Sequence, residues 1–214
     1  MYCHTIYFRI LKNNQTYQEI KYPTIGVFKE KGSKFISFAF PVYSKENIKN
    51  NLEEIKKKEH SASHYCYAYI LKKDKSAQKT YDDGEPSSTA GKPILGQIKS
   101  HNLTNVLIVV ARYFGGTKLG TSGLINAYKM AALDAISKTK IITKSSKKIY
   151  SVEFNYIETH NVMQIMKKND LEILSTDFKE KCQIIFTVNT SNEKITLEKI
   201  RKNHKLTINF IKTI

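Results

Sequence analysis

Apolar and polar positions alternate along GSKFISFAFPV, Gly32–Val42, with Phe35, Ser37 and Ala39 on one side and Ile36, Phe38 and Phe40 on the other. A period of two predicts a β-strand. The period then lengthens: Ile48, Leu52 and Ile55 recur at helical spacing behind Ser44, a suitable cap, with the intervening lysines on the solvated face. HYCYAYIL, His64–Leu71, returns to strand patterning, Tyr65, Tyr67 and Tyr69 alternating with Cys66, Ala68 and Ile70. KKDKSAQK reads as a polar turn. STAGKPILGQIKSH reads as a helix capped by Ser88 or Thr89, because Pro93 is tolerated only in a first turn. NVLIVVARYF, Asn105–Phe114, is an almost unbroken apolar run, the mark of a central strand covered on both faces. After GGTKLGTSG comes a long helix with Leu124, Tyr128, Ala131 and Ala135 along one stripe and Thr121 or Ser122 as its cap.

KTKIITKSSKK, residues 138–148, is polar and basic and marks a boundary. Beyond it the pattern predicts strand Ile149–Tyr156, helix Thr159–Asn169, strands Leu171–Phe178 and Lys181–Val188, helix Glu193–Asn203 and strand Leu206–Ile211. Thr190–Glu193 forms a capping-box sequence before the second of these helices. The order βαββαβ is ferredoxin-like. Residues 1–22 show no clear period and are expected to be an extension, followed by domains at 23–143 and 144–214. The fold class is therefore α+β, in two domains.

Charge changes this picture by suggesting a partner. The chain of 214 residues has a formal net charge of +16. Residues 1–150 hold 25 basic and 11 acidic side chains, a net +14, and residues 151–214 hold 10 and 8, a net +2. A field of that sign attracts polyanions, RNA foremost, unless it merely reflects a lysine-rich composition. Cys3, Cys66 and Cys182 are odd in number, widely spaced and without a CxxC, which fits a reducing cytoplasm better than a disulfide framework. No apolar run is long enough to span a membrane.

Within this basic chain, YDDGEPSSTAGKP, Tyr81–Pro93, concentrates acids and turn-forming residues. Seven of the nine glycines, Gly84, Gly91, Gly96, Gly115, Gly116, Gly120 and Gly123, fall in one forty-residue window, in two clusters that run into expected helix N-termini. Such loops suit an anion or a partner's backbone, or else only tight turns. Neither matches a Walker loop: Pro86 stands where its first Gly belongs, and Thr121 where its Lys would follow Gly120. A GxSxG elbow fails because Leu124 follows Gly123. Asp82, Asp83 and Glu85 are of the type that binds Mg²⁺, but Asp-Asp-Gly-Glu-Pro is also a well-formed turn, and the turn is the preferred reading. A third reading has these carboxylates orienting Arg112 or Lys118. His60 and His64 have metal-like spacing for a helix, but a strand beginning at His64 undoes it. The tyrosine face of His64–Leu71 suits either base stacking or a covering helix.

HYCYAY, DDGEPSSTAGKPIL and VVARYFGGTKLGTSGLINAY together resemble the signature blocks of the YigZ/IMPACT family, over about Gly32–Tyr128. This chain has Ser122-Gly123 where Gly-Gly is frequent, and Ser88 where Gly is common. The resemblance implies an N-terminal α/β sandwich of the ribosomal-protein type, similar to domain IV of elongation factor G, and a C-terminal ferredoxin-like domain similar to domain V of that factor. Eukaryotic IMPACT proteins act in translational control through protein partners. The expectation is a non-enzymatic, cytoplasmic factor that binds RNA or the ribosome, without a cofactor. The alternatives are a Mg-dependent enzyme acting on a phosphorylated or nucleotide-like small molecule, and a protein-interaction module. The candidate ligand- or RNA-binding residues are His64, Tyr67, Asp82, Asp83, Glu85, Lys92, Arg112, Tyr113, Gly115, Gly116, Lys118 and Thr121. Among these, Lys92, Arg112 and Lys118 are expected to meet phosphates.

Overall fold

The computed structural model describes residues 16–214, in two compact units, Tyr17–Lys144 and Ser145–Ile214. The extension expected over residues 1–22 lies outside the described residues up to residue 15. The first unit runs β1 (Thr16–Ile20), β2 (Thr24–Glu30), β3 (Ser33–Pro41), α1 (Lys45–Lys58), β4 (His64–Leu71), β5 (Ala77–Tyr81), α2 (Gly91–Ser100), β6 (Val106–Tyr113), α3 (Gly120–Ser137) and β7 (Ile141–Ser145). Five strands form one sheet in the order β2-β3-β6-β4-β5, every neighbouring pair antiparallel.

The two faces of this sheet follow directly from the alternation. Phe35, Ala39, Cys66, Ala68, Ile108 and Val110 share a core with Ile94 and Ile98 of α2 and Leu124 and Tyr128 of α3. Phe38, Tyr69, Leu107 and Val109 share another with Ile48 and Ile55 of α1. Central β6 is apolar on both faces because helices cover both. The result is a three-layer sandwich.

Several local features depart from expectation. β1 pairs with β7, so part of the expected extension is a strand held by the last strand of the first unit. β5 begins inside the stretch expected as a turn, and its polar residues lie at the sheet edge, where one side stays solvated. Ser44 caps α1 as expected, its hydroxyl accepting from the Asn47 N–H at 3.1 Å. Neither Ser88 nor Thr89 caps α2, which starts at Gly91, and neither Thr121 nor Ser122 caps α3, which starts at Gly120. Thr190–Glu193 forms no capping box: the Glu193 carboxylate turns to Lys148 and Tyr150.

The second unit runs β8 (Lys147–Phe154), α4 (Thr159–Lys168), β9 (Glu172–Phe178), β10 (Cys182–Asn189), α5 (Glu193–Arg201) and β11 (Thr207–Thr213). Its sheet order, β11-β8-β10-β9, all antiparallel, is the ferredoxin-like arrangement. Val152, Phe154, Ile184 and Phe186 meet Val162, Met166, Leu197 and Ile200 in its core. No helix among the described residues is long and apolar enough to cross a membrane.

Candidate functional site

The acidic loop leaves β5 at Asp82 and enters α2 at Gly91. Positive φ at Asp83 (44°), Gly84 (83°) and Ser88 (67°) coils it tightly. Ser88 thus occupies the left-handed region, the physical reason glycine suits that position. Asp82 supplies the cap that α2 lacks locally. Its Oδ1 accepts from the N–H groups of Ala90 (3.1 Å) and Gly91 (2.8 Å), and its Oδ2 from Ser88 (2.9 Å). The carboxylate therefore satisfies N-terminal donors of the helix from eight or nine residues upstream. Burial pushes the Asp82 carboxyl up, but these three N–H groups and nearby Lys92 outweigh it and hold it below the ordinary value.

A depressed folded pKa stabilises the fold fully above the unfolded value of about 3.9 and loses that contribution as pH falls through the folded value. Asp82→Asn is therefore expected to lower stability at pH 7 and to flatten the loss of stability on acidification below about pH 4. Urea unfolding midpoints of both proteins at pH 7 and pH 3 measure this; parallel acid losses would mean that Asp82 carries none of it.

Asp83 turns the other way. Its Oδ2 accepts the Tyr65 N–H at 2.7 Å, and its carbonyl lies 2.7 Å from His64 Nδ1, which must carry the proton, since a carbonyl only accepts. Glu85 points inward, its Oε1 accepting from Arg112 Nη1 at 2.6 Å and from the Tyr128 hydroxyl at 2.7 Å. Glu85 is 8% exposed and Arg112 6%. The guanidinium lies 5.6 Å from the centre of the Phe35 ring and 5.7 Å from that of Phe114, while Arg112 Nε finds no partner among the described residues. The Cys66 thiol lies within hydrogen-bond distance of the Tyr128 hydroxyl and the Asp82 carbonyl, and burial pushes its pKa up to about 12. Tyr128 is likewise pushed up by burial. Neither group is set up as a nucleophile at neutral pH.

This geometry corrects the expectation for Arg112 and weighs against the Mg²⁺ alternative. Arg112 meets Glu85 in a buried ion pair and has no open face for a phosphate. The three acids do not fit Mg²⁺, because their named oxygens already accept from backbone, guanidinium and phenol donors. Among the described residues no group of three His, Cys, Asp or Glu side chains is placed to hold a metal. Cys66 and Tyr128 belong to the cluster although neither was a candidate. Tyr128 stood in the apolar stripe of α3, and the signal it carried was the need of a buried phenol for a partner.

The glycine-rich loop divides between packing and exposure. Gly115 lies against the backbone of Gly32, where an added Cβ would stand 1.9 Å from the Gly32 carbonyl carbon, and its N–H donates to Ser33 Oγ at 3.1 Å. Gly116 has a φ of +83° with open space around it. Lys118 and Thr121 are exposed, as is Lys92 at the start of α2. Tyr113 is half-buried and donates to Glu59 Oε2 at 2.7 Å. Tyr67, also half-buried, lies on the α1 side of the sheet, its ring centre 5.2 Å from that of Tyr81, the first residue of the acidic stretch. The fold thus gathers His64, Asp82, Asp83, Glu85 and Arg112 into one internal framework and leaves Lys92, Gly116, Lys118 and Thr121 outside.

Fold and loops together define a two-unit α+β protein whose signature segments brace one another through Glu85, Arg112 and Tyr128. Residues 31–136 match the family model described as Impact N-terminal domain. An IMPACT family member of Haemophilus influenzae is 32% identical over 166 residues, covering 76% of this chain and 81% of that protein. The IMPACT family member YigZ of Escherichia coli is 30% identical over 159 residues, covering 73% and 78%. The IMPACT family member YvyE of Bacillus subtilis is 36% identical, over 58% of this chain and 57% of that protein. A crystal structure described as that of a hypothetical protein shares the fold at a TM-score of 0.66 and 24% identity, covering 92% of this chain and 98% of the other. The chain belongs to the YigZ/IMPACT family.

Proposed function

We propose that this chain is a non-enzymatic, cytoplasmic factor linked to translational regulation, contacting RNA or the ribosomal surface through its first unit. The observation that carries the reading is the sorting of charge in the signature loops. Asp82, Asp83 and Glu85 accept bonds from the protein's own donors, whereas Lys92 and Lys118 remain exposed. What the loops offer to a partner is therefore positive, consistent with the +14 carried by residues 1–150. The raised thiol of Cys66 and the engaged carboxylates favour a binding role over an enzyme's. Family membership supplies the link to translation.

Lys92→Glu with Lys118→Glu is expected to weaken binding to ribosomal RNA about tenfold at low salt. The slope of log affinity against log salt should flatten by roughly 0.7 for each phosphate that the lysines no longer neutralise. Fluorescence anisotropy across a salt titration checks both. Absence of wild-type binding at low salt would sink the reading.

A further inference from the structure

A second surface, on the opposite side of the sheet from α2 and α3, carries its own chemistry. A groove of about 360 Å³ there is lined by helix α1 and by strands β4 and β5. Tyr67 and Tyr69 of β4 line it, together with Lys45, Lys49 and Lys56 from α1 and Lys79 from β5. All four lysines are exposed, and Glu53 is the single acid among the lining residues. Glu53 lies 3.9 Å from Lys49, with both side chains more than half exposed, a pairing too loose and solvated to neutralise the groove.

The register explains why these groups converge. Tyr67 is opposite Tyr81 and Tyr69 opposite Lys79 in the β4–β5 ladder, so all four share one face. On α1, Lys45, Lys49 and Lys56 fall at i, i+4 and i+11, one side of the helix. A volume of this size is near the lower end for ligand sites and suits one nucleotide. An aromatic face ringed by ammonium groups is complementary to a base with flanking phosphates, and an acidic peptide would use the lysines but leave the rings idle.

We propose that this groove holds one unpaired nucleotide of a single-stranded RNA, the base against Tyr67 and the adjoining phosphates among the lysines. The proposal rests on the RNA-binding reading but assigns a different surface from Lys92 and Lys118. Because the lysines are exposed, Lys49→Glu with Lys79→Glu leaves the fold intact, which an unchanged melting temperature verifies. With the full chain and labelled ten-nucleotide oligouridine, this variant is expected to bind about tenfold more weakly. Tyr67→Leu should also lose about tenfold and Tyr67→Phe almost nothing, since stacking needs only a ring. Ultraviolet crosslinks should map to peptides containing Tyr67 or Lys79, and a duplex of mixed sequence should be insensitive to Tyr67→Leu.

Wild-type affinity in the Lys49/Lys79 variant, with Lys92→Glu and Lys118→Glu still weakening binding, would overturn the groove and leave the RNA reading standing. Equal competition by polyglutamate would overturn it in favour of an acidic protein partner. No binding of any RNA by the wild type would remove both readings.

Discussion

Glu85→Ala is expected to destabilise the first unit by about 3–5 kcal/mol, the largest loss among substitutions in the signature loops. The Arg112 guanidinium is held in the interior between Phe35 and Phe114, and Glu85 is its one ion-pair partner among the described residues. Removing the carboxylate leaves a buried charge uncompensated and also strips the Tyr128 hydroxyl of its acceptor. Arg112→Met should be costly for the reciprocal reason. Glu85→Leu alone should be similarly costly, whereas Glu85→Leu combined with Arg112→Met should lose much less than the two single variants together, because an apolar pair of similar volume removes both desolvated charges. Urea unfolding of the full chain, followed by circular dichroism with allowance for two transitions, measures the cycle. Additive losses in the double variant would show that the ion pair does not hold the loop.

Gly115→Ala is expected to cost roughly 1–3 kcal/mol, because it forces backbone against backbone. Its Cβ would stand 1.9 Å from the Gly32 carbonyl carbon and 2.1 Å from the Ser33 nitrogen, neither of which is the yielding end of a side chain. Gly116→Ala has open space and carries only the left-handed strain of φ +83°, on the order of 1 kcal/mol. The same unfolding measurement separates the two. Equal losses would mean that the backbone yields at the close approach, which then does not by itself require Gly115. The close approach that glycine permits here is thus to the protein's own β2–β3 turn.

The elements that were legible are those whose burial repeats along the chain. The alternation through Phe35–Phe40 and the apolar run Val106–Ala111 reflect strands buried on both faces, and the ferredoxin-like order follows from helical and strand periods in turn. Where burial does not repeat, the pattern is silent. Strand β2 lies at an edge with Ile25 and Val27 exposed, and Gly26 stands where a Cβ would meet the α3 backbone at 2.4 Å, so its alternation is masked. The cap of α2 escaped for a different reason. Local capping rules look one to three residues away, whereas Asp82 reaches Gly91 across a coiled loop.

By itself the sequence determined the α+β class, the order of the second unit, the family blocks and the sign of the field, since each depends on composition or on neighbours along the chain. Only the tertiary structure decided where the charges of the signature loops point. Whether Glu85 faces solvent, a metal or Arg112 depends on partners 27 and 43 residues away, Arg112 and Tyr128. The same holds for the groove between α1 and β5, because the register of β4 on β5 brings Lys79 beside the tyrosines. Local pattern carries the period of burial; the pairing of distant side chains is set by packing, which no short stretch of sequence contains.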